Sequence, residues 1–441
     1  MSLRGKAFIM KGYKLLYFLI ILVTYSVFMI LGHSKLQLEI LGQDILVYSV
    51  FLITLTRVYG NLDFGNIKTR MLVKTTSLGV VFSDILGFVF LGIIACLNAP
   101  GVFQVQSLFF LVIVIIFHIV ITRVLIMIGD RIFLRLYAPI NTLIIVDNES
   151  VNEDKIMKCI RGNTKRYNLL DIFLMKDDQL PQILLEADFC VINVSDHSLR
   201  SKIVSRCFDL EIKYTIVPNL EDILLQNVKP SVIDDVTIFE SKEIMTSSQR
   251  TLKRLCDVVI SFCFLIITLP IMLIISIAIK LDDGGSVFFR QKRMTKDREV
   301  FDVIKFRSMK ENVANYSSVA NDDRITKVGN FLRKTRLDEL PQFINVLIGD
   351  MSIVGPRPEM IENVEKYEMD FPEFSYRLKV KAGITGIAQI EGKYNSSPKD
   401  KLFMDLVYIQ NYSFFNDIRL MLLTLTVIAK EDSTEGFNNH E

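Results

Sequence analysis

Asp338 and Glu339 stand side by side in the run GNFLRKTRLDELPQ, residues 329–342, with Arg333, Lys334 and Arg336 just ahead of them. Neighbouring residues on a helix diverge by about 100°, so the two carboxylates cannot serve one function at one spot. Pro341 marks a first helical turn, and the run 343–348 extends that helix to a stop at Gly349. Both carboxylates are then expected at a helix N-terminus, where the dipole keeps a carboxylate ionised and nucleophilic. An incoming phosphate would meet the same positive end. The plainer reading of the pair is an acidic first turn that only stabilises its helix.

Three further motifs surround this one. In FDVIKFRSM, residues 301–309, strand alternation places Lys305 and Arg307 on one face. Two cations there suit a polyphosphate, and a solvated strand face is the equal alternative. In VGPRPE, residues 354–359, two prolines lock the backbone on either side of Arg357, so its planar fork is presented at low entropic cost and fits a phosphate. Residues 379–389, KVKAGITGIAQ, form a glycine-hinged loop with cations at its entrance and Gln389 at its end.

Other chemistries are disfavoured. The four histidines (His33, His118, His197, His440) all lie outside the motif region, against a histidine-based triad or metal site. Six cysteines occur with no CxxC spacing, against structural zinc or a disulfide framework. With 51 basic and 49 acidic residues, net +2, no global basic field argues for a nucleic-acid partner. Carboxylates, arginines and lysines are left to do the work.

Half the residues are hydrophobic, and they gather in runs that set the architecture. Residues 15–31, 45–59, 78–97 and 108–128 each approach the ~20 residues of a spanning helix. Three more spans follow the first, and no small-residue cleavage site ends it, so it reads as a span and not a signal peptide. Arg4, Lys6, Lys11 and Lys14 precede the first span, Lys68, Arg70 and Lys74 lie between the second and third, and Arg131 and Arg135 follow the fourth. By the positive-inside bias the N-terminus and the chain after residue 135 are cytoplasmic. His118 is expected to face the bundle and Arg123 to snorkel.

Residues 140–240 switch to short β-branched runs alternating with polar helical segments, the pattern of a parallel doubly wound sheet. The first strand, ending at Val146, runs into DNESVN without a glycine. Cofactor binding there is disfavoured, because the glycines of GxGxxG let pyrophosphate approach the helix. A structural, oligomerising or regulatory role is expected.

Residues 258–279 would be a fifth span by length. Pro270 at its middle removes a backbone hydrogen bond, and both flanks are basic. A re-entrant helix over 256–280, broken at Pro270, keeps both flanks cytoplasmic, with Thr268 placed to cap a freed carbonyl.

Taken together, Lys253, Arg254 and Asp257 (KR-x-x-D), the proline-broken apolar helix, KFRSM, LDELPQ, VGPRP and GITG-x-AQ closely resemble the bacterial sugar transferase family, the monotopic phosphoglycosyl transferases. With four preceding spans and a glycine-poor Rossmann-like insert, the chain is similar to the long polyprenyl-glycosylphosphotransferase form. The resemblance implies three parts: a four-helix membrane domain over 1–135, a Rossmann-like α/β cytoplasmic domain over 140–240, and an α/β catalytic domain over 250–441. It implies transfer of a sugar-1-phosphate from a UDP-sugar, UDP-glucose or UDP-galactose, to undecaprenyl phosphate at the cytoplasmic face of the bacterial inner membrane. Such a step begins exopolysaccharide, capsule or O-antigen units. Asp338 would be the nucleophile that expels UMP. Glu339 would hold Mg²⁺, and Arg357, Lys305, Arg307, Arg333 and Gln389 would bind phosphate or nucleotide sugar. A homodimer is plausible. The sequence departs from the family at Ala382 (proline expected), at Met294-Thr295 (Val-Gly expected) and at Asp283-Gly-Gly-Ser286, all of which bear on loop stiffness. The competing class is an inactive membrane scaffold or regulator of polysaccharide assembly.

Overall fold

A computed structural model describes residues 2–32, 38–60, 62–65, 69–98, 105–147, 153–175, 182–310, 323–392 and 396–427. The chain divides into two compact units, Met1–Pro218 and Asn219–Glu441.

The first unit opens with helices α1 (Leu3–Gly32), α2 (Leu38–Tyr59), α3 (Thr69–Asn98) and α4 (Val105–Leu136). Each is long and apolar enough to cross a membrane. Outward faces are bare apolar side chains such as Leu15, Leu46, Val89 and Phe109. Inward lies a polar network drawn from all four helices. The Asp84 carboxylate on α3 meets His118 Nδ1 on α4 at 2.9 Å and accepts from the Tyr48 hydroxyl of α2 at 2.8 Å. His118 Nε2 lies 2.9 Å from Thr24 Oγ1 on α1. Tyr25 donates to Asp44 at 3.1 Å, and its ring stacks on Tyr48 at 3.6 Å. His118 thus faces the bundle, as expected. Polar groups shielded from both water and lipid find partners in one another.

After the bundle come β1 (Ile140–Val146), α5 (Glu153–Arg161), β2 (Tyr167–Leu174), β3 (Phe189–Asn193), α6 (His197–Asp209) and β4 (Lys213–Ile216). The four strands form a parallel sheet in the order β2-β1-β3-β4. Alternation along β1 sends Leu143 and Ile145 to the α6 side, against Ile203 and Cys207. Ile144 and Val146 go to the opposite face, against Ile160 of α5. Helices therefore cover both faces, and the order reverses between β1 and β3, where such folds open a crevice. Asp147 at the end of β1 fills it, accepting from the backbone N–H of Ser195 at 2.6 Å and of Asp196 at 3.2 Å. The glycine-free turn after Asp147 lies outside the described residues. At the foot of α4, Asp130 pairs with Arg166 at 2.7 Å and accepts from Thr69 at 2.7 Å, joining the bundle to the sheet.

The second unit begins with α7 (Leu220–Leu224) and an antiparallel hairpin, β5 (Val228–Ile233) and β6 (Val236–Ser241). The hairpin groups here and not with the parallel sheet. Next is α8 (Ser247–Asp283), opened by a Thr246–Gln249 capping box and closed by Gly284 in the left-handed conformation (φ 74°). No break appears at Pro270: α8 is one helix straight through it. Thr268 donates to the Phe264 carbonyl at 2.7 Å, whereas the carbonyl that Pro270 orphans, four residues upstream, belongs to Ile266. The ladder on either side is sufficient to carry the helix across one missing bond.

Then follow β7 (Phe288–Met294), its antiparallel partner β8 (Val300–Phe306), α9 (Lys327–Thr335), α10 (Gln342–Ile348), β9 (Ser352–Val354), α11 (Ile361–Asp370), β10 (Gly383–Thr385), α12 (Ile387–Ile390), α13 (Pro398–Gln410) and α14 (Phe414–Val427). Strands β9 and β10 pair in parallel. One core joins Val303, Val346, Ile353, Phe374, Leu402, Leu406 and Tyr408. A second packs Met272, Ile275 and Ile279 of α8 on Phe306, Leu332 and Leu340. Another side of α8 carries exposed apolar residues, from Leu255 and Phe262 through Ile267 and Ile274 to Leu281.

Close packing in the bundle is tested at Gly87 of α3. A Cβ there would lie 2.6 Å from the Tyr25 hydroxyl and 2.9 Å from a Tyr48 ring carbon, and both tyrosines are held by carboxylates. Gly87→Ala is expected to cost ~1–3 kcal/mol, read as a lowered unfolding midpoint in detergent; an unchanged midpoint would show that the tyrosines can shift.

Candidate active site

Residues Leu337–Glu339 form a single 3₁₀ turn between α9 and α10. Arg336 enters it in the left-handed conformation (φ 56°) and Pro341 caps α10. The two carboxylates therefore precede the helix by one turn and do not sit in its first turn. A helix of seven residues supplies little dipole, so their electrostatics come from side chains.

Glu339 is the anchor. Its Oε1 accepts from Lys305 of β8 at 3.0 Å and from Arg357 at 2.8 Å. Burial opposes its ionisation, but the charges of Arg357, Lys305 and Arg336 outweigh burial and hold the carboxyl well below the usual range. Asp338 behaves oppositely. Burial, then the neighbouring Glu339 charge, push its pKa up to about 6, against the pull of Lys305, Arg333 and Arg357. Adjacent carboxyls thus have separated protonation ranges, one permanently anionic and one poised near neutrality. The expectation that both stay ionised through a helix dipole is corrected here: desolvation and like charge govern Asp338.

The loop carrying Arg357 is tied at almost every backbone group, as the two missing proline donors make necessary. The Val354 carbonyl accepts from Lys253 Nζ at 3.0 Å and from the Tyr408 hydroxyl at 3.1 Å. Gly355 N–H donates to Thr385 and the Pro356 carbonyl accepts from Gly383, both at 2.8 Å. The Arg357 carbonyl accepts from Arg377 at 2.8 Å, the Pro358 carbonyl from Arg293 at 3.4 Å, and the Glu359 carbonyl from Met294 N–H at 3.2 Å. The glycine loop and this loop touch backbone to backbone: a Cβ on Gly383 would lie 2.6 Å from Gly355 Cα.

Two of the departures from the family pattern meet one another. Thr295 Oγ1 accepts the Ala382 N–H at 3.0 Å and donates to the Asp350 carbonyl at 3.1 Å. A proline at 382 would have no N–H to give, and a glycine at 295 no hydroxyl to receive it. The hydrogen bond replaces the stiffness of the missing ring.

The remaining motif residues divide by location. Arg333 lies near Asp338 and donates to Ser308 Oγ at 2.9 Å. Arg307 leaves the cluster, because β8 ends at Phe306; its guanidinium binds the Ser286 carbonyl at 2.7 Å and pairs with Asp283, closing the end of α8. The expectation that Lys305 and Arg307 share a face stops at that strand end. The Gln389 side chain, on α12, makes no hydrogen bond among the described residues, to Glu339 or to any other. The KR-x-x-D motif, quoted only for its likeness, shows its work here. Arg254 caps the end of α10 through the Val346 and Leu347 carbonyls at 2.6 and 2.7 Å. Lys253 also pairs with Asp417 at 2.5 Å, and Asp257 accepts from Ile353 N–H at 3.1 Å. Their spacing on one helical turn was the available signal.

No group of three His, Cys, Asp or Glu that could hold a metal occurs among the described residues. Mg²⁺ needs only one or two carboxylates when substrate phosphates complete its shell. Both ion pairs of Glu339 fall on Oε1, so a carboxylate with its second oxygen outside those pairs fits that reduced demand.

A family model described as bacterial sugar transferase matches residues 248–431. The chain is 36% identical over 251 residues to the UDP-glucose:undecaprenyl-phosphate glucose-1-phosphate transferase of Escherichia coli (strain K12), across 54% of this chain and 53% of that protein. It is 35% identical over 239 residues to the undecaprenyl-phosphate galactose phosphotransferase of Salmonella typhimurium, across 49% of each. It is 37% identical over 198 residues to the exopolysaccharide production protein PSS of Rhizobium leguminosarum bv. phaseoli, across 42% of this chain and 98% of that protein. The chain spans about half the length of the first two and nearly all of the third.

In Glu339→Gln, the Asp338 carboxyl is expected to titrate below its present value of about 6, followed by carbon NMR of labelled aspartate; an unmoved titration would leave burial as its sole cause. For the paired departures, Thr295→Val and Ala382→Pro are each expected to cost ~1–3 kcal/mol. The two losses should not add in the double variant, and simple additivity of the melting shifts would refute the coupling.

Proposed function

The chain belongs to the bacterial sugar transferase family, and from that we propose that it transfers a sugar-1-phosphate from UDP-glucose or UDP-galactose to undecaprenyl phosphate. The observation that carries this reading is the pairing of a permanently charged Glu339, clamped by Lys305 and Arg357, with an adjacent Asp338 that ionises near neutrality.

In the first step an Asp338 carboxylate oxygen attacks the sugar-bearing phosphorus, the bond from that phosphorus to the bridging oxygen breaks, and UMP leaves with the bonding pair. A phosphosugar remains on Asp338 as an acyl phosphate. An oxygen of the polyprenyl phosphate then attacks the same phosphorus and returns Asp338 as a carboxylate. Arg357, held to Glu339 on a proline-stiffened backbone, holds phosphate oxygens in place, and Lys305 and Arg333 offset the charge that collects as two anions meet. Mg²⁺ held at Glu339 would supply further neutralisation of the diphosphate.

Both ends of α8 support a monotopic attachment. Its first turns bond to α10, β9 and α14, and its last half packs on β8 and α9 of the same body. The apolar outer face is then immersed in one leaflet without crossing. The four apolar helices of the first unit and the basic flanks support a catalytic body on the cytoplasmic face of a multi-pass inner-membrane protein. The parallel sheet is read as a Rossmann-like domain with a structural or regulatory role, its switch point closed by Asp147 on the Ser195 and Asp196 N–H groups. Exposed Val232, Val236 and Phe239 on the β5–β6 hairpin support a homodimer.

Purified full-length protein given UDP-glucose or UDP-galactose and a polyprenyl phosphate should release UMP, and Asp338→Asn should lose at least ~10³-fold of that rate. Without acceptor, intact-mass spectrometry should find a phosphohexose on Asp338; equal release by the variant, or no adduct, sinks the assignment. Because the Asp338 pKa is raised, its nucleophilic form exists above about pH 6 and is lost below it. The rate should therefore show an acid limb near 6 with no second limb from Glu339, whose range lies far lower.

A further inference from the structure

Arg377, in the 3₁₀ turn Pro372–Lys379, bonds to neither Asp338 nor Glu339 among the described residues, yet its side chain is only 2% exposed. Its Nη2 donates to the Arg357 carbonyl at 2.8 Å and forms an ion pair with Asp405 of α13 at 2.7 Å, where Asp405 is equally buried. The guanidinium lies over the Phe374 ring at 4.8 Å, which sets its plane. Nη1 faces Glu359 at 3.8 Å, and Glu359 in turn lies 3.6 Å from Lys401. Charges alternate from α13 to the site: Asp405, Arg377, then the carbonyl of Arg357, whose own guanidinium meets Glu339.

A buried ion pair adds little to stability compared with apolar residues of the same volume. What an apolar pair could not do is hold a carbonyl in place with a charged fork. Pro358 restricts the Arg357 backbone to extended conformations and Pro356 fixes the torsion just ahead of it, so tethering the Arg357 carbonyl orients the residue. We propose that Arg377 is a positioning residue for Arg357, kept in register by Asp405, and that the pair sets how tightly the diphosphate of the donor is held. This rests on the phosphosugar-transfer reading, and two readouts keep the two apart: UMP release, and UDP-sugar affinity measured calorimetrically without turnover.

The full-length protein in detergent carrying R377M/D405L removes both charges together and should keep a melting temperature near the parent's. UDP-glucose affinity and kcat/KM for UMP release should fall about 10–100-fold, and R377K, which still donates to the carbonyl, should recover part of the loss. In an R357K background the same double change should add less than about twofold, because its target is already displaced. A merely structural pair would instead lose activity in step with melting temperature and add fully in both backgrounds. Parental kcat/KM and affinity in folded R377M/D405L, or full additivity with R357K, overturns the proposal. Should R377M/D405L not fold, R377K combined with R357K makes the same comparison. A parent that binds UDP-glucose and UDP-galactose yet turns neither over removes the transfer reading alone; one that binds neither removes both.

Discussion

Everything in the catalytic body turns on one carboxylate shared by two cations. Glu339 takes Lys305 from a strand and Arg357 from a proline-locked loop, and so ties together the charged ends of two elements. Its charge is satisfied before any substrate arrives, and that permanence acts on Asp338 next door. Burial first, and then this fixed negative neighbour, raise the Asp338 pKa, while nearby cations pull it down again. The balance leaves Asp338, the proposed nucleophile, near its ionisation point, in a site built from residue types that are ordinarily fully charged.

Holding that balance requires stiffness, and the structure obtains it by exhausting backbone valences. The loop around Arg357 has two residues without N–H groups, and its carbonyls are met by lysine, tyrosine, arginine and strand partners in turn. Arg254 and Lys381 do the same for the far end of α10, taking the Val346, Leu347 and Gly349 carbonyls. Cations near the site therefore fall into two groups, those facing the carboxylates and those spent on main-chain oxygens.

That division is what sequence could not reveal. Lys305 and Arg307 read alike as alternate residues on a strand, and the strand end at Phe306 separates them. Arg377 gave no signal because its partners, Asp405 and the Arg357 carbonyl, come from distant segments. The long helices, the strand-helix alternation after residue 140 and the Gly349 stop were all legible, since periodicity and capping are local. Pro270 misled: a single lost hydrogen bond is tolerated where the rest of a 37-residue helix is intact. The paired Thr295 and Ala382 looked like two unrelated lapses until their hydrogen bond joined them.

Leu340 follows Glu339 directly and is buried against Met272, Ile275 and Ile279 of α8, whose other side is oily. With that side immersed as proposed, Glu339 stands one residue and Asp338 two residues from the seam between water and hydrocarbon. A molecule dissolved in the bilayer would then reach them by lateral diffusion in a plane, while a water-borne one would fall in from bulk, so the two proposed reagents would travel through different media and need not queue for one doorway.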